Sequence, residues 1–257
     1  LKDGNLRIGT VMCFILGFGL YGSTLIIPIY TQSILGWTAT DAGLLLIPGS
    51  ITTAIMMPFV GNMIQKGVPQ GYMVGVGFLV FFFFTFMMQT RMTPDTGVEH
   101  MYWPLILRGI GLGLLFVPIT TLSLSTLKGK HIGEGAAFTG MMRQLGGSFG
   151  IAIITTFITR FSQEHRVNLI NNLDPAKFEV QQRIQGMQHA FMAKGYSADV
   201  ALKKAYQAID YAVLKQSTVM SYIDIFMYLG IMFLCCIPII LFIKRGKNKI
   251  NPADAMH

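Results

Sequence analysis

Of the 257 residues, 52% are hydrophobic and only 12% carry charge, and the mean hydropathy is +0.53. Those values lie outside the range of soluble globular domains and exclude a water-solvated enzyme. A net charge of +8 would suit a nucleic-acid partner, but the basic residues are spread among short breaks between apolar stretches instead of forming one patch, so no nucleic acid is expected.

The apolar residues fall in six blocks, 8–30, 42–64, 72–88, 101–122, 136–158 and 219–243. At ~1.5 Å per residue such blocks cross a ~30 Å hydrocarbon layer as helices, some with tilt. They contain Gly and Pro and lack a period of two, which favours helices over a membrane barrel. The expected fold is an all-α integral membrane bundle of six transmembrane helices with a helical hairpin outside the membrane.

In chain order, the first block follows Lys2 and Arg7 and holds Cys13 and Pro28. The break 31–38 carries no charge, and Asp41 reads as a capping acid for the second block, which holds Pro48 and Pro58 and ends before Lys66. The third contains the aromatic run Phe81–Phe84 plus Phe86, and the next break balances Arg91 with Asp95 and Glu99. Lys128 and Lys130 follow the fourth block, and Lys244, Arg245, Lys247 and Lys249 follow the sixth. Positive charge on alternate sides places both termini of the chain in the cytoplasm, with Lys66, Lys128 and Lys244 inside and Lys203 outside. Cys13, Cys235 and Cys236 all lie in apolar blocks, so they read as packing residues with no disulfide or metal role.

Residues 159–217 are polar and carry their own helical grammar. Asn171-Asn172-Leu173-Asp174-Pro175 marks a break with a helix start, and Ser197 after Gly195 a second N-cap. Ala201, Ala205, Ala208, Ile209, Ala212 and Val213 then recur at helical spacing. The segment is expected to form an extracytoplasmic hairpin, either a solvated cap or a surface that docks a partner.

Charges within apolar blocks are costly and are where function is sought. Arg108 lies about 8 Å below Trp103 along its helix. It reads either as a functional cation or as one that snorkels or bonds a neighbouring helix. Arg143 lies about 18 Å of helix beyond His131, near mid-bilayer. It shares a face with Thr139 and Gly147 and is expected to point into the bundle, so its loss should impair transport more than that of Arg108. Asp224 is either a first-turn acid stabilised by the helix dipole or a carboxylate partner for Arg108. Gly109, Gly111 and Gly113, and Gly146, Gly147 and Gly150, form small-residue stripes that let helices approach closely in lipid. No phosphate loop, paired carboxylates, His-Glu-x-x-His or nucleophile elbow is present, so neither enzymatic activity nor a cofactor is expected.

Several stretches in order carry a resemblance: Tyr21-Gly22-Ser23, Pro28 through Gln32 to Gly36, Ala42-Gly43-Leu44 with Pro48-Gly49, Trp103-Pro104 with Arg108-Gly109-Ile110-Gly111, and Gly135-Ala136-Ala137 through Arg143-Gln144 to Gly150. The chain resembles the C-terminal six-helix half of a major facilitator superfamily transporter, in the fourteen-span, EmrB/QacA-like drug/proton antiporter branch. The superfamily's Gly-x-x-x-Asp-Arg-x-Gly loop is echoed by Gly61 to Gly67, with Gln65 where the acid belongs. The resemblance implies a multi-pass protein of the bacterial inner membrane that exports small amphipathic drugs against protons by alternating access. It implies a missing N-terminal half that holds the proton-coupling acids, and it leaves room for a periplasmic membrane-fusion protein as partner. Tyr30, Gln32, Arg108, Arg143, Gln144 and Asp224 are its candidate substrate or coupling residues. A chain that opens on Leu1 and a linker-like Lys2-Asp3-Gly4-Asn5 is read as the later part of a longer protein. A proton-coupled metabolite symporter, or a non-transporting membrane scaffold that binds a partner through 159–217, remain alternatives.

Overall fold

A computed structural model describes residues 4–127, 129–173 and 177–238. Seven helices account for nearly all of them: α1 Gly4–Ser33, α2 Ala39–Gln65, α3 Gln70–Arg91, α4 Glu99–Leu124, α5 Lys130–Asn172, α6 Phe178–Ala193 and α7 Ala198–Cys236. Six of these, all but α6, are long and apolar enough to cross a membrane. The protein is therefore an all-α, multi-pass membrane bundle. Lys2, Lys128, Asp174, Pro175, the end of the sixth apolar block from 239 and the basic run from Lys244 lie outside the described residues.

The helices begin and end where local chemistry requires. The Thr38 hydroxyl caps α2 by accepting the Asp41 amide at 3.2 Å, satisfying a donor the helix leaves open. Gly67 after α2 and Gly195 after α6 adopt φ of +89° and +91°, a left-handed turn that a Cβ would strain. Pro28, Pro48, Pro58, Pro104 and Pro118 are all carried inside helices.

The core is built by α1, α3, α4 and α7. Phe81 stacks on Phe233 with ring centroids 4.2 Å apart, and Phe84 meets Phe226 edge-on at 5.8 Å. The aromatic run is thus split by helix geometry: Phe81 and Phe84 are buried while Phe83 and Phe86 are exposed. α2 packs on α4, and α5 on α1 and α7. These two flanking helices differ from the rest, because only 17% and 22% of their most apolar stretch is buried, against 44–56% elsewhere. Leu44, Ile47, Ile51, Ile55 and Phe59 line the open face of α2, and Met141, Leu145 and Phe149 that of α5. Apolar side chains turned outward in this way suit a lipid or protein neighbour and not water.

The polar stretch 159–217 is not a separate hairpin joined to two short spans. α5 runs unbroken to Asn172, and α7 starts at Ala198 and runs unbroken into the sixth apolar block. Neither 151–172 nor 198–218 contains Gly or Pro, so nothing ends the helix where the side chains turn polar. Ser197 holds the N-cap position of α7 without a side-chain hydrogen bond. Ala201, Ala205 and Val213 face inward, Ala208 and Ile209 are half-buried, and Ala212 is exposed. α6 folds back on α7. The α5 and α7 extensions are fastened by Ser162 to Thr218 at 3.2 Å and by Arg166, which donates to Asp210 at 2.7 Å.

Candidate functional site: two arginines in an apolar bundle

Arg108 projects from α4 into the contact with α1 and is 5% exposed. Its Nε donates to Ser23 Oγ at 2.9 Å, and its Nη2 donates to the Leu20 carbonyl at 3.4 Å and to Thr24 Oγ1. Ser23 and Thr24 themselves donate back to the carbonyls of Gly19 and Leu20, each at 2.6 Å. Their hydroxyl hydrogens are thereby spent and their lone pairs face the guanidinium. Arg108 is a clip between two helices, with hydroxyls and a carbonyl instead of a carboxylate as its acceptors.

Asp224 is not the partner of Arg108. Its Oδ2 lies 2.6 Å from Nε2 of His165 on α5, and both side chains are partly exposed. It is also far from a helix start, since α7 begins at Ala198, so the dipole argument does not apply either. Just beyond this pair Phe161 stacks on Tyr228 with centroids 5.6 Å apart.

Arg143 sits where α5 crosses α1. The crossing is close because glycines remove side chains from it on both helices. A Cβ on Gly17 would collide with the Arg143 carbonyl, and one on Gly146 with the Phe14 carbonyl. Gly147 meets the Tyr21 ring and Gly150 the Phe18 backbone. The α2–α4 contact uses the same device: Gly109 opposes Gly49 and Thr52, Gly113 opposes Met56, and Thr53 donates to the Gly109 carbonyl at 3.2 Å. Gly111 faces the Phe81 backbone of α3.

From that crossing the half-buried Arg143 side chain reaches α4, where its guanidinium carbon lies 4.3 Å from the centroid of the Phe116 ring. Nη1 is buried with no hydrogen-bond acceptor among the described residues. Beside it the exposed Gln144 accepts a hydrogen bond from Tyr21 at 3.0 Å. Thr139, one turn earlier, is buried and bonds the Gly135 carbonyl of its own helix at 3.0 Å.

The other candidates lie elsewhere. Tyr30 is fully buried, donating to the Thr93 carbonyl at 2.6 Å and meeting the Tyr222 ring edge-on at 5.7 Å. Gln32 is exposed at the end of α1 and bonds the Pro28 carbonyl at 3.2 Å. Arg143 and Gln144, neighbours in sequence, turn to different helices, Phe116 on α4 and Tyr21 on α1, and Arg108, Asp224 and the Tyr30–Gln32 end of α1 lie at separate places. Phe116, Tyr21, Thr24 and His165 were missed as neighbours, and no spacing in the sequence marks any of them. Among the described residues no three His, Cys, Asp or Glu side chains cluster as metal ligands.

Comparison with known proteins adds the family context. The sequence model of the Major Facilitator Superfamily matches residues 1–151. The chain is 26% identical to the fatty acid resistance protein FarB of Neisseria gonorrhoeae over 244 residues, covering 95% of this chain and 46% of that protein. It is 23% identical to the colistin resistance protein EmrB of Acinetobacter baumannii over 253 residues, covering 96% and 47%. It is 28% identical to the multidrug export protein EmrB of Escherichia coli K12 over 175 residues, covering 68% and 34%. The chain spans less than half the length of each of these relatives.

Proposed function

The chain belongs to the Major Facilitator Superfamily, and on that premise we propose that it forms the C-terminal half of a bacterial inner-membrane exporter that expels amphipathic xenobiotics in exchange for protons. In this reading two six-helix bundles rock about a site at the bilayer midplane. The half that precedes this chain supplies the opposing wall and the proton-coupling acids. Both termini of the chain are cytoplasmic and the segment 159–217 is extracytoplasmic, placed to meet a periplasmic membrane-fusion protein. The observation that carries the reading is the half-buried Arg143 at the α1–α5 crossing of an apolar bundle, with its guanidinium over Phe116 of α4 and the Gln144–Tyr21 hydrogen bond spanning α5 and α1. An apolar wall with a few convergent polar groups is how a site accepts varied amphipathic molecules. The export and resistance functions named for the relatives support the same direction of transport.

The test is flux through the full-length transporter in proteoliposomes under an imposed pH gradient. Export predicts dye movement opposite to the proton flow, abolished when the gradient collapses. Dye movement with the protons would instead make the protein a symporter, and no gradient-dependent flux would make it a scaffold. Thiol labelling of a cysteine at position 66 or 203 on intact cells checks the topology, with label expected at 203 alone.

A further inference from the structure

Among the described residues Arg143 has no counter-charge within salt-bridge distance. α1 contains no Asp or Glu, α4 has Glu99 in its first turn, and α5 has Glu134 and Glu164. Along α5 those two acids lie about 13 Å and about 31 Å from Arg143. Glu134 is in any case beside His131 at 3.0 Å. Asp224 is taken by His165 and Asp210 by Arg166. The Phe116 ring steadies the guanidinium but accepts none of its forked donors. Arg108, also set in an apolar helix, has its Nε and Nη2 met by three acceptors on α1. A charge held in an apolar wall is costly unless something pairs with it, and no described residue pairs with the buried Arg143 Nη1.

We propose that Arg143 binds the carboxylate of an amphiphilic anion carried by the transporter, with Phe116 beneath the guanidinium. The assignment of the anion as cargo rests on the export reading above; the binding site itself does not. A carboxylate suits the guanidinium because its two oxygens match the planar N–H fork, and the bond is charge-assisted. A carboxylate side chain from elsewhere in the protein would present the same chemistry, and the experiment separates the two sources.

The measurement is equilibrium binding of pyrenebutyrate to the purified full-length transporter, followed by fluorescence, against pyrenebutanol and pyrenebutyltrimethylammonium. All three share the aromatic tail and differ in the head. The wild-type protein is expected to bind the carboxylate about tenfold or more tighter than the alcohol, a preference that shrinks as salt rises. Arg143→Gln should erase the preference, and Arg143→Lys should keep part of it, since charge remains but the fork is lost. Equal affinity of the wild type for carboxylate and alcohol would overturn the proposal. That result is expected if an acid from another part of the protein already occupies the guanidinium. The wild-type comparison needs no variant and decides the matter even if Arg143→Gln does not fold. An undiminished preference in a folded Arg143→Gln would overturn it equally. Arg143-dependent preference without gradient-driven flux would sink the export reading and leave the site standing.

Discussion

Two arginines are set into the apolar helices of one bundle, and the structure treats them in opposite ways. Arg108 is closed off at the α1–α4 contact, with Ser23, Thr24 and the Leu20 carbonyl arranged around it. Arg143 is half-buried at the α1–α5 crossing, held from below by an aromatic ring, with a buried nitrogen that no described residue bonds. Both lie within apolar blocks, so placement in such a block does not tell a structural cation from an available one. What separates them is whether neighbouring helices spend hydroxyls and carbonyls on the guanidinium. In a membrane a polar group satisfied within the protein fastens helices, and one left unsatisfied is open to a ligand.

The contrast can be broken most severely at the glycines that set it up. Gly146→Val should push α5 off α1, because the new Cβ would meet the Phe14 carbonyl. Backbone gives way less readily than a side chain, and overpacking of this kind costs about 1–3 kcal/mol or more. The expected result is loss of correctly inserted protein, read as membrane level and melting temperature in detergent. Normal levels and melting would mean the two helices can separate without harm. Next in size is the pair Arg108→Ala and Arg143→Gln. Arg108→Ala leaves a buried cavity, for which large-to-small substitutions cost about 2–5 kcal/mol, and the melting temperature should fall accordingly. Arg143→Gln gives up only the contact with Phe116, worth about 0.5–2 kcal/mol, so its melting temperature should fall less. Thermal unfolding of the two variants side by side checks the order, and a reversed order would abolish the distinction drawn between them. The smallest effect sharpens it: Ser23→Ala removes the acceptor of Arg108 Nε and leaves that nitrogen as Arg143 Nη1 already is. The interhelical bond in lipid is worth about 0.6 kcal/mol and at most about 1.7. Melting measured for Ser23→Ala, for Arg108→Ala and for the double variant gives their coupling energy. A coupling near zero would show that the clip contributes nothing.

Much of the architecture was legible because lipid imposes a simple rule, that a helix crossing it must be apolar for about twenty residues. Five of the blocks therefore fall within α1 to α5, and the sixth lies in α7 as far as Cys236, its end from 239 being outside the described residues. The glycine stripes were readable for the same reason: Gly109, Gly113, Gly146 and Gly150 stand at the spacing that places them on one face. The reach of α5 and α7 was not. Polarity in Arg160, Ser162, Glu164 and Arg166 reports departure from an apolar environment, and a helix can leave lipid without ending. Partners of charges were the least legible. Asp224 meets His165 across a whole hairpin, and Arg108 meets hydroxyls that, in sequence, look like ordinary Ser and Thr bonding their own helix turn. Tyr30 shares a stretch with Gln32, yet one is sealed in the core and the other exposed, because adjacent residues on a helix point about 100° apart.

The continuity of α7 has a mechanical side. At 39 residues it is a rod of about 58 Å, with no proline and, before Gly230, no glycine at which to flex. α5, at 43 residues, runs alongside and is cross-tied to it by Ser162 and Arg166. The tied stretches, 151–172 of α5 and α7 up to Gly230, have no glycine or proline at which to bend, so a push on the hairpin where α6 lies against α7 is carried as tilt into the part of the bundle that holds Asp224.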